Sequence, residues 1–331
     1  MTDNISIPHI AIIGAGQLGS RHLQGLTKIN RAIKITIVEP NSDARMVAKK
    51  RYDKMPVNQL VGSVNYLGTL KDLKQNLDLA IISTNADIRR KVIESLLNNV
   101  NVKYLILEKV AFQSIQDFEF VIDLLEKKNV KAWVNCPRRM APFFRDLQNN
   151  LKNQRKLVMH VEGSNWGLAS NAIHMLDLMA FFTGRTKFTI VTKELDLKIY
   201  ESKRAGFIEL GGKFKATTQD GDTLILIDNK NGHFPFKICI ESASFNIDIF
   251  QQSGLAKIVK NGTNKTIEQK PFYLPFQSEL TNLQVQQILD LDKSELTPIG
   301  ESFILHNQMI SSFNKHLKLI TQKDYSSCPI T

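Results

Sequence analysis

The spacing of hydrophobic residues changes character near residue 137 of this chain. Before that point, short apolar runs such as Ile10–Ile13, Ile33–Glu39 and Leu77–Ser83 alternate with stretches that have helical spacing. Strands that alternate with amphipathic helices are typical of a parallel sheet covered on both faces. Residues 1–137 therefore predict a doubly wound α/β domain.

Beyond residue 137 the strand-like segments follow one another and several alternate apolar and polar residues. Glycine-containing turns such as Asp220-Gly221 separate them, as expected for a mostly antiparallel sheet with one polar face. Helical patterns lie at Asn171–Phe182, Glu279–Leu291 and Glu301–Leu319. Residues 138–331 are thus predicted to form an α+β domain with a large open sheet, and its last helices can pack back on the first domain.

Three glycines, Gly14, Gly16 and Gly19, follow the first apolar run with the spacing G-x-G-x-x-G. In a strand-to-helix turn the first glycine permits the tight turn, the second lets the backbone approach a pyrophosphate, and the third lets the helix pack closely. The N-terminus of the helix then faces the phosphate charge. This context predicts a dinucleotide-binding site.

A carboxylate at the end of the second strand supports the same prediction. Glu39 lies about 20 residues after the glycine turn, where a ribose-binding acid belongs. Such a carboxylate accepts hydrogen bonds from ribose hydroxyls and repels a 2′-phosphate, which favours NAD. Arg45 follows about one helical turn later, so NADP stays possible.

Ligands of an open α/β sheet bind outside the carboxyl ends of its strands. Polar residues follow three of the predicted strands and complete the predicted cofactor site. The predicted cofactor-binding residues are Gly14, Gly16, Gln17, Leu18, Gly19, Glu39, Thr84, Asn85 and Glu108.

Composition narrows the class of protein further. The formal net charge is +11, but the excess divides almost evenly between the two predicted domains. Basic clusters such as Lys49-Lys50-Arg51 lie in predicted helices and have no interleaved aromatic residues, which argues against a nucleic-acid partner. The charge instead favours anionic small-molecule substrates.

Other features argue against membrane, secretory and metal classes. No apolar run approaches the roughly 18 residues of a membrane span, and the N-terminus lacks the pattern of a leader. Cys136, Cys239 and Cys328 are far apart, so neither a disulfide framework nor a zinc site is indicated. We therefore expect a cytoplasmic protein with no metal site and no membrane partner.

Four motifs together carry a family resemblance. They are Gly14-Ala-Gly16-Gln-Leu-Gly19-Ser-Arg-His22, Leu107-Glu108-Lys109, Arg139-Met-Ala-Pro142 and Asn171-Ala-Ile-His174-Met-Leu-Asp177. In order and spacing the chain resembles the glucose-fructose oxidoreductase / inositol dehydrogenase (Gfo/Idh/MocA) family. The resemblance implies a Rossmann domain that binds NAD(P), a C-terminal sheet used for substrate and homo-oligomer contacts, and hydride transfer on sugars, cyclitols or their derivatives.

Two residues are candidates for proton transfer. Oxidising a carbinol sends a hydride to nicotinamide and a proton to a base beside the hydroxyl. Lys109 follows a strand that opens toward the cofactor, although a lysine taken singly is usually a surface residue. His174 has an ordinary pKa suited to proton transfer near neutrality, although its apolar neighbours also fit a core histidine.

The chain departs from the family pattern at three positions. Members place an aspartate four residues before the histidine, on the same helix face, where this chain has Ser170. Val110 replaces a proline that supports a cis peptide, and a cis bond before valine costs about 2.5 to 4 kcal/mol, which favours a trans bond. Arg89 lies near a common histidine position. These departures leave two interpretations, an active oxidoreductase or a dinucleotide-binding sensor or scaffold that has lost efficient catalysis.

The substrate site is only weakly indicated. Arg139 can bind a carboxylate or phosphate, or form an interdomain ion pair. Trp166 can stack on a sugar ring or fill the domain interface. Asn171 can bond a substrate hydroxyl or cap its helix, and Asp177 can orient His174 or serve structure alone. The segment 164–171 is similar to members that act on sugars destined for surface polysaccharides.

Overall fold

The computed structural model describes residues 7–151, 154, 156–261 and 267–331. Its contacts divide the chain into two compact units. The first comprises the chain up to Phe112 together with Gln116–Pro137 and Pro275–Ile299. The second comprises Gln113–Ile115, Arg138–Leu274 and Gly300–Thr331. The last helices were predicted to be able to pack back on the first domain, and the segment Pro275–Ile299 does belong to the first unit.

The described residues form the following elements. The strands are β1 (His9–Ile13), β2 (Ile33–Val38), β3 (Val61–Leu67), β4 (Leu77–Ile82), β5 (Val102–Glu108), β6 (Lys131–Asn135), β7 (Val158–Ser164), β8 (Thr189–Leu195), β9 (Tyr200–Glu201), β10 (Ile208–Glu209), β11 (Gly212–Thr217), β12 (Thr223–Asn229), β13 (Lys237–Glu241), β14 (Phe245–Phe250), β15 (Leu255–Lys260), β16 (Ile267–Pro271) and β17 (Thr297–Pro298). The helices are α1 (Gln17–Leu26), α2 (Ser42–Asp53), α3 (Ala86–Asn99), α4 (Ile115–Lys127), α5 (Pro142–Leu151), α6 (Leu168–Thr183), α7 (Gln277–Leu291) and α8 (Ile299–Thr321), with short 3-10 turns at Leu70–Asp72 and Pro137–Met140.

The sheet of the first unit has the strand order β17-β6-β5-β4-β1-β2-β3 among the described residues. All neighbours are parallel except β17, which runs antiparallel to β6. Every residue of β1 is buried, which explains why this strand is apolar after His9 instead of alternating. The predicted doubly wound sheet is confirmed.

The second unit is built on a sheet of order β16-β15-β14-β13-β7-β12-β11-β8, as far as the structure describes it. Its pairs are antiparallel except β7 with β12, which are parallel. Burial alternates along β7 and β12, so one sheet face is covered and the other, which mixes polar and apolar side chains, is half-buried. The predicted, mostly antiparallel sheet is confirmed, whereas α5, β15 and β16 were not predicted.

Helix α6 lies against this sheet and carries His174. It begins after Gly167 and ends at Gly184, both in the left-handed region, with φ of +77° and +70°. Most of its residues between these glycines are buried, because apolar side chains lie on nearly all sides of the helix. The histidine therefore projects from a firmly held element.

The described part of the chain contains neither a membrane-spanning helix nor a cluster of metal ligands. None of its helices is both long and apolar enough to span a membrane. No group of three or more histidine, cysteine, aspartate or glutamate side chains in that part could hold a metal ion.

Candidate functional site

The glycine turn connects β1 to α1, and each glycine has a distinct environment. Gly14 has φ of +92°, and a Cβ there would lie 3.0 Å from the amide nitrogen of Thr84. A Cβ on Gly19 would lie 1.9 Å from the carbonyl oxygen of Gly14. A Cβ on Gly16 would meet nothing within 4 Å, so the backbone at the start of α1 faces open space. A pyrophosphate fits this arrangement, because only a glycine lets it approach the helix N-terminus.

A cavity of about 800 Å³ opens beside this turn, at the carboxyl ends of β1, β2, β3 and β4. Its volume is within the range of small-molecule and cofactor sites. Of the predicted cofactor residues, Gly14, Gly16, Glu39, Thr84 and Asn85 line the cavity. Gln17, Leu18, Gly19 and Glu108 are not among its lining residues.

Sequence reasoning missed other residues that line the same cavity. They follow β2 and β3 or lie on α3, and include Asn41, Ala44, Thr69, Lys71 and Val92. Applying the strand-end rule to β3 would have found Thr69 and Lys71. The weak apolar pattern of that strand hid the signal.

The carboxylate of Glu39 is held in place at the cavity wall. Its oxygens accept hydrogen bonds from the amide nitrogens of Ala15 at 2.7 Å and Asn41 at 2.9 Å. The guanidinium of Arg45 donates to the backbone carbonyls of Glu39 and Pro40. A fixed carboxylate with further lone pairs suits ribose hydroxyls and repels a 2′-phosphate.

Thr84 contributes a polar atom to the opposite wall of the cavity. Within the described part of the chain, its buried Oγ1 has no hydrogen-bond partner. Buried hydroxyls are normally hydrogen-bonded, so an orphaned one in a cavity wall fits a ligand that supplies the missing partner. This observation and the open space at Gly16 show that the cavity suits a dinucleotide.

Glu108 is buried in a polar network and is not among the lining residues of the cavity, and its cofactor role stays a prediction. Its Oε1 accepts hydrogen bonds from His22 Nε2 at 2.8 Å and from Asn135 Nδ2 at 2.5 Å. Burial alone would raise the pKa of Glu108, but these bonds and the charge of Arg89 outweigh it and lower the pKa. His22 Nδ1 lies 3.0 Å from the Thr281 hydroxyl on α7. The carboxylate therefore fixes the strand end that precedes Lys109.

The peptide bond between Lys109 and Val110 is cis, so the expected trans bond is wrong. The physical reason lies in Arg89, whose side chain is 1% exposed. Its Nη1 donates to the carbonyls of Glu108 and Ala111, each at 2.7 Å, and to that of Val110. These bonds gather carbonyls on both sides of the peptide around one guanidinium. The ammonium-bearing side chain of Lys109 is half-buried.

In the second unit, Trp166 and Asn171 both stabilise the turn before α6. The indole Nε1 of Trp166 donates to the carbonyl of Ile227 at 2.8 Å, and its ring packs edge-on against Phe236. Asn171 Nδ2 donates to the carbonyls of Trp166 at 2.8 Å and Gly167 at 3.1 Å. Because α6 begins at residue 168, Asn171 is not its N-cap, contrary to one alternative above.

Arg139 is engaged by two carboxylates. Its guanidinium donates to both Asp177 oxygens, at 2.6 and 3.0 Å, and to Glu301 at 2.9 Å. Burial alone would lower the pKa of Arg139, but the two carboxylates raise it. All three residues belong to the second unit, so this ion pair is not between domains. These bonds hold the guanidinium of Arg139 in place, and its substrate role stays a prediction.

Two buried carboxylates that sequence reasoning missed hold the start of α6. Asp228 accepts the amides of Trp166, Gly167 and Leu168 at 3.1 to 3.3 Å and bonds Lys230 Nζ at 2.7 Å. Glu209 accepts the Ala169 amide at 2.9 Å. No signal marked either residue, since both are about 40 to 60 positions away in sequence. His174 is half-buried on α6, and Lys109 belongs to the other unit.

Comparison with known proteins agrees with this fold and cofactor site. Residues 9–136 match the model of the GFO_IDH_MocA group, described as an oxidoreductase family with an NAD-binding Rossmann fold. No curated protein sequence matches the chain. The family match coincides with the unit that contains the glycine turn and the cavity.

Several solved structures share the fold over nearly the whole chain. An oxidoreductase from Agrobacterium radiobacter, in complex with NAD+, L-tartaric acid and magnesium, is 14% identical with a TM-score of 0.69, covering 94% of this chain and 97% of the other. UDP-N-acetylglucosamine 3-dehydrogenase GnnA from Acidithiobacillus ferrooxidans is 12% identical with a TM-score of 0.67, covering 93% and 97%. A super-repressor mutant of Gal80p from Saccharomyces cerevisiae is 12% identical with a TM-score of 0.71, covering 94% and 96%. At these identities the likeness shows the fold alone.

Proposed function

We propose that this chain is a member of the NAD-binding Gfo/Idh/MocA oxidoreductase family, whose model matches residues 9–136, and that it transfers a hydride between NAD and a carbinol or ketone carbon. The substrate we propose is a sugar, a cyclitol or a nucleotide sugar, with a place in the synthesis of surface-polysaccharide sugars. The observation that carries the proposal is the cavity at the glycine turn, with Glu39 fixed in its wall.

The residues of the first unit divide the binding of the cofactor among them. The amides at the start of α1, exposed by Gly16, receive the pyrophosphate. Glu39 accepts the ribose hydroxyls, and the buried hydroxyl of Thr84 offers a hydrogen bond to the bound dinucleotide. Bound NAD supplies the hydride acceptor. NAD is the preferred form because Glu39 repels a 2′-phosphate.

Proton transfer is assigned to Lys109 and His174. During oxidation a base must take the hydroxyl proton, and during reduction an acid must return it to the ketone oxygen. The Lys109 ammonium polarises the ketone oxygen, and His174 exchanges the proton near neutral pH. Glu108 and Arg89 hold the backbone on either side of Lys109 and so fix where its side chain starts.

A second candidate function is a dinucleotide-binding sensor or scaffold without efficient catalysis. The structural likeness to Gal80p, which was solved as a super-repressor mutant, favours it. Ser170 in place of a carboxylate on α6 points the same way. This candidate keeps the cavity and its NAD but assigns no proton transfer to Lys109.

The cellular setting is part of the same proposal. We place the protein in the cytoplasm, where NAD and nucleotide sugars are available. We assign the half-buried face of the eight-stranded sheet to contact with a second copy of the chain. Size-exclusion chromatography with light scattering tests the oligomer, and a monomer at micromolar concentration would contradict it.

Turnover and binding together distinguish the two candidate functions. NADH binding is measured by fluorescence, and oxidation of UDP-N-acetylglucosamine, myo-inositol and simple aldoses is followed through NADH formation. Lys109→Ala is expected to lower kcat about 100-fold or more while NADH still binds, as befits loss of a proton-transfer group. Lys127→Ala, an exposed lysine near the end of α4, is the matched control. Full turnover by Lys109→Ala would refute the assignment, and binding without turnover on every substrate would favour the sensor.

A further inference from the structure

The two carboxylates at the start of α6 have different electrostatic settings. Asp228 is fully buried, and Lys230 Nζ at 2.7 Å offsets its charge directly. Glu209, on β10, is 6% exposed and accepts hydrogen bonds from neutral groups. These are the amides of Ala169 at 2.9 Å and Ser170 at 3.4 Å and the hydroxyl of Ser170. Lys230 acts on Glu209 only through space.

Glu209 also accepts amides in the first turn of α6, but its electrostatic setting differs from that of an exposed helix cap. A carboxylate at a helix N-terminus normally has a lowered pKa, because the helix dipole stabilises its charge. Burial instead raises the pKa of Glu209, and the hydrogen bonds from Ser170 and Ala169 and the charge of Lys230 offset this only in part. Asp228 already accepts the three preceding amides of the same turn. Glu209 accepts the next two amides, those of Ala169 and Ser170.

Ser170 connects this carboxylate to the face of α6 that carries His174. Its hydroxyl donates to Glu209 Oε1. Residues four apart on a helix lie on the same face with Cβ atoms about 5 to 6 Å apart. The bond therefore anchors the Glu209 carboxylate at the helix position one turn before the imidazole.

We propose that Glu209 is a positioning residue for His174: held through Ser170, it places a negative charge one helical turn before the imidazole and stabilises its protonated form. The strand β10 thus supplies the carboxyl group that the helix itself lacks at position 170. The inference rests on the proposed function only in making His174 the group that exchanges the substrate proton. Burial keeps water and salt from screening the interaction.

Other ionisable groups lie near Glu209, and a titration must distinguish their charges from that of Glu209. Tyr200 lies opposite it on β9, Cys328 lies near it in the C-terminal segment, and Lys230 approaches from the turn after β12. Burial raises the pKa of Tyr200 and of the Cys328 thiol, so both stay neutral between pH 5 and 8.

On α6 itself, Asp177 follows His174 by three residues. Its carboxylate is bonded to Arg139, which also bonds Glu301 of α8. These groups are the same in every variant below. A change in the titration of His174 upon substitution of Glu209 therefore reports the Glu209 charge.

The test is an NMR titration of the full chain labelled with ¹³C histidine, without cofactor or substrate. The chain has 7 histidines, and the His174 signal is assigned by its loss in His174→Gln. We expect Glu209→Gln to lower the pKa of His174 by about half a unit or more, because an anionic neighbour is lost. The double variant Ser170→Asp, Glu209→Gln moves the carboxylate onto the helix and should restore the pKa. Glu201→Gln, an exposed carboxylate on β9, should leave it unchanged.

An unchanged His174 titration in Glu209→Gln, or no recovery in the double variant, would overturn the proposal. If Glu209→Gln fails to fold, Ser170→Ala, which removes the hydroxyl that holds the carboxylate, should lower the pKa of His174 in the same direction. An unchanged His174 pKa in Ser170→Ala would then contradict the proposal. Because no sugar or NAD is present, the result is independent of turnover, and a failure of the proposed function would show only in the Lys109 experiment.

Discussion

Arg89 offers the sharpest test of how the first unit holds the Lys109 segment. The guanidinium is 1% exposed and donates to the carbonyls of Glu108, Val110 and Ala111, and through Nη2 to that of Thr84. The perturbation is Arg89→Met, which keeps most of the side-chain volume and removes every donor. Four carbonyl groups, those of Glu108, Val110 and Ala111 buried and that of Thr84 partly buried, then lose a partner at once.

The size of the effect follows from those bonds. Leaving a buried polar group without its partner costs about 1 to 3 kcal/mol, and the terms are not additive within one network. Removing the buried charge recovers part of its desolvation cost. We therefore expect a net loss of about 3 to 5 kcal/mol in the free energy of unfolding, toward the upper end for single substitutions.

Urea unfolding followed by circular dichroism measures this loss, with NADH fluorescence as a second reading. The matched control is Arg90→Met, the next residue on α3, whose ion pairs with Glu94 and Asp117 are long, at 3.8 and 3.6 Å, and partly exposed. Such surface pairs contribute about 0 to 1 kcal/mol. NADH affinity should fall in Arg89→Met, because the Thr84 carbonyl also loses its anchor, and hold in the control. A loss below about 1 kcal/mol in Arg89→Met would refute the reasoning.

Three further predictions concern the same unit. Gly16→Ala should fold normally, because its Cβ meets nothing within 4 Å, and yet bind NADH more weakly, whereas Gly19→Ala should disturb folding, since its Cβ would lie 1.9 Å from Gly14 O. Calorimetry measures the folding of both variants, and fluorescence measures their NADH binding. Unchanged NADH binding by Gly16→Ala would contradict the assignment of the pyrophosphate to this turn. Glu39→Gln should weaken NAD+ binding about 10-fold and raise the relative affinity for NADP+, with exposed Asp43→Asn as control and titration calorimetry as the measurement. The pKa of Glu108 in the folded state lies below its ordinary value of 4.5, so the hydrogen bonds of its carboxylate stabilise the fold above that pH and lose this contribution as the pH falls. The difference in the free energy of unfolding between wild type and Glu108→Gln should therefore shrink below pH 4.5. A constant difference would count against a stabilising role of these hydrogen bonds.

The sequence predicted the parts of the fold that depend on local pattern. The apolar run Lys131–Asn135 and the alternating run Phe245–Phe250 each predict a strand, and β6 and β14 have these same bounds. Helix α5 was missed although Pro142 stands at its first position, a common start signal. Strands β15 and β16 were missed because their pattern mixes lysine and apolar residues without clear alternation. Pairing with β14 decides their structure, and pairing is not visible in one segment alone.

The cofactor site was accessible to sequence reasoning because one short motif brings most of its groups together. Gly14 and Gly16 act through backbone geometry and Glu39 acts through its carboxylate, and the first two strand ends that carry these residues are adjacent in the sheet. The residues that hold the backbone around Lys109 could not be predicted in this way. The hydrogen bonds of Arg89 and His22 to the Glu108 segment span 19 to 86 positions.

The two departures from the family motifs, Val110 and Ser170, also depend on residues that are distant in sequence. Val110 predicted a trans peptide because only the bond and its own residue were weighed, yet Arg89 supplies donors to the carbonyls around it. Ser170 predicted a missing carboxylate because only α6 was weighed, yet Glu209 bonds that serine from β10. In both places a residue from another element makes hydrogen bonds to the segment that lacks the motif residue. Loss of a motif residue therefore indicates loss of its chemistry only where no second element of the fold supplies the same group, and Ser170→Asp with Glu209→Gln is the pair of substitutions that decides this for α6.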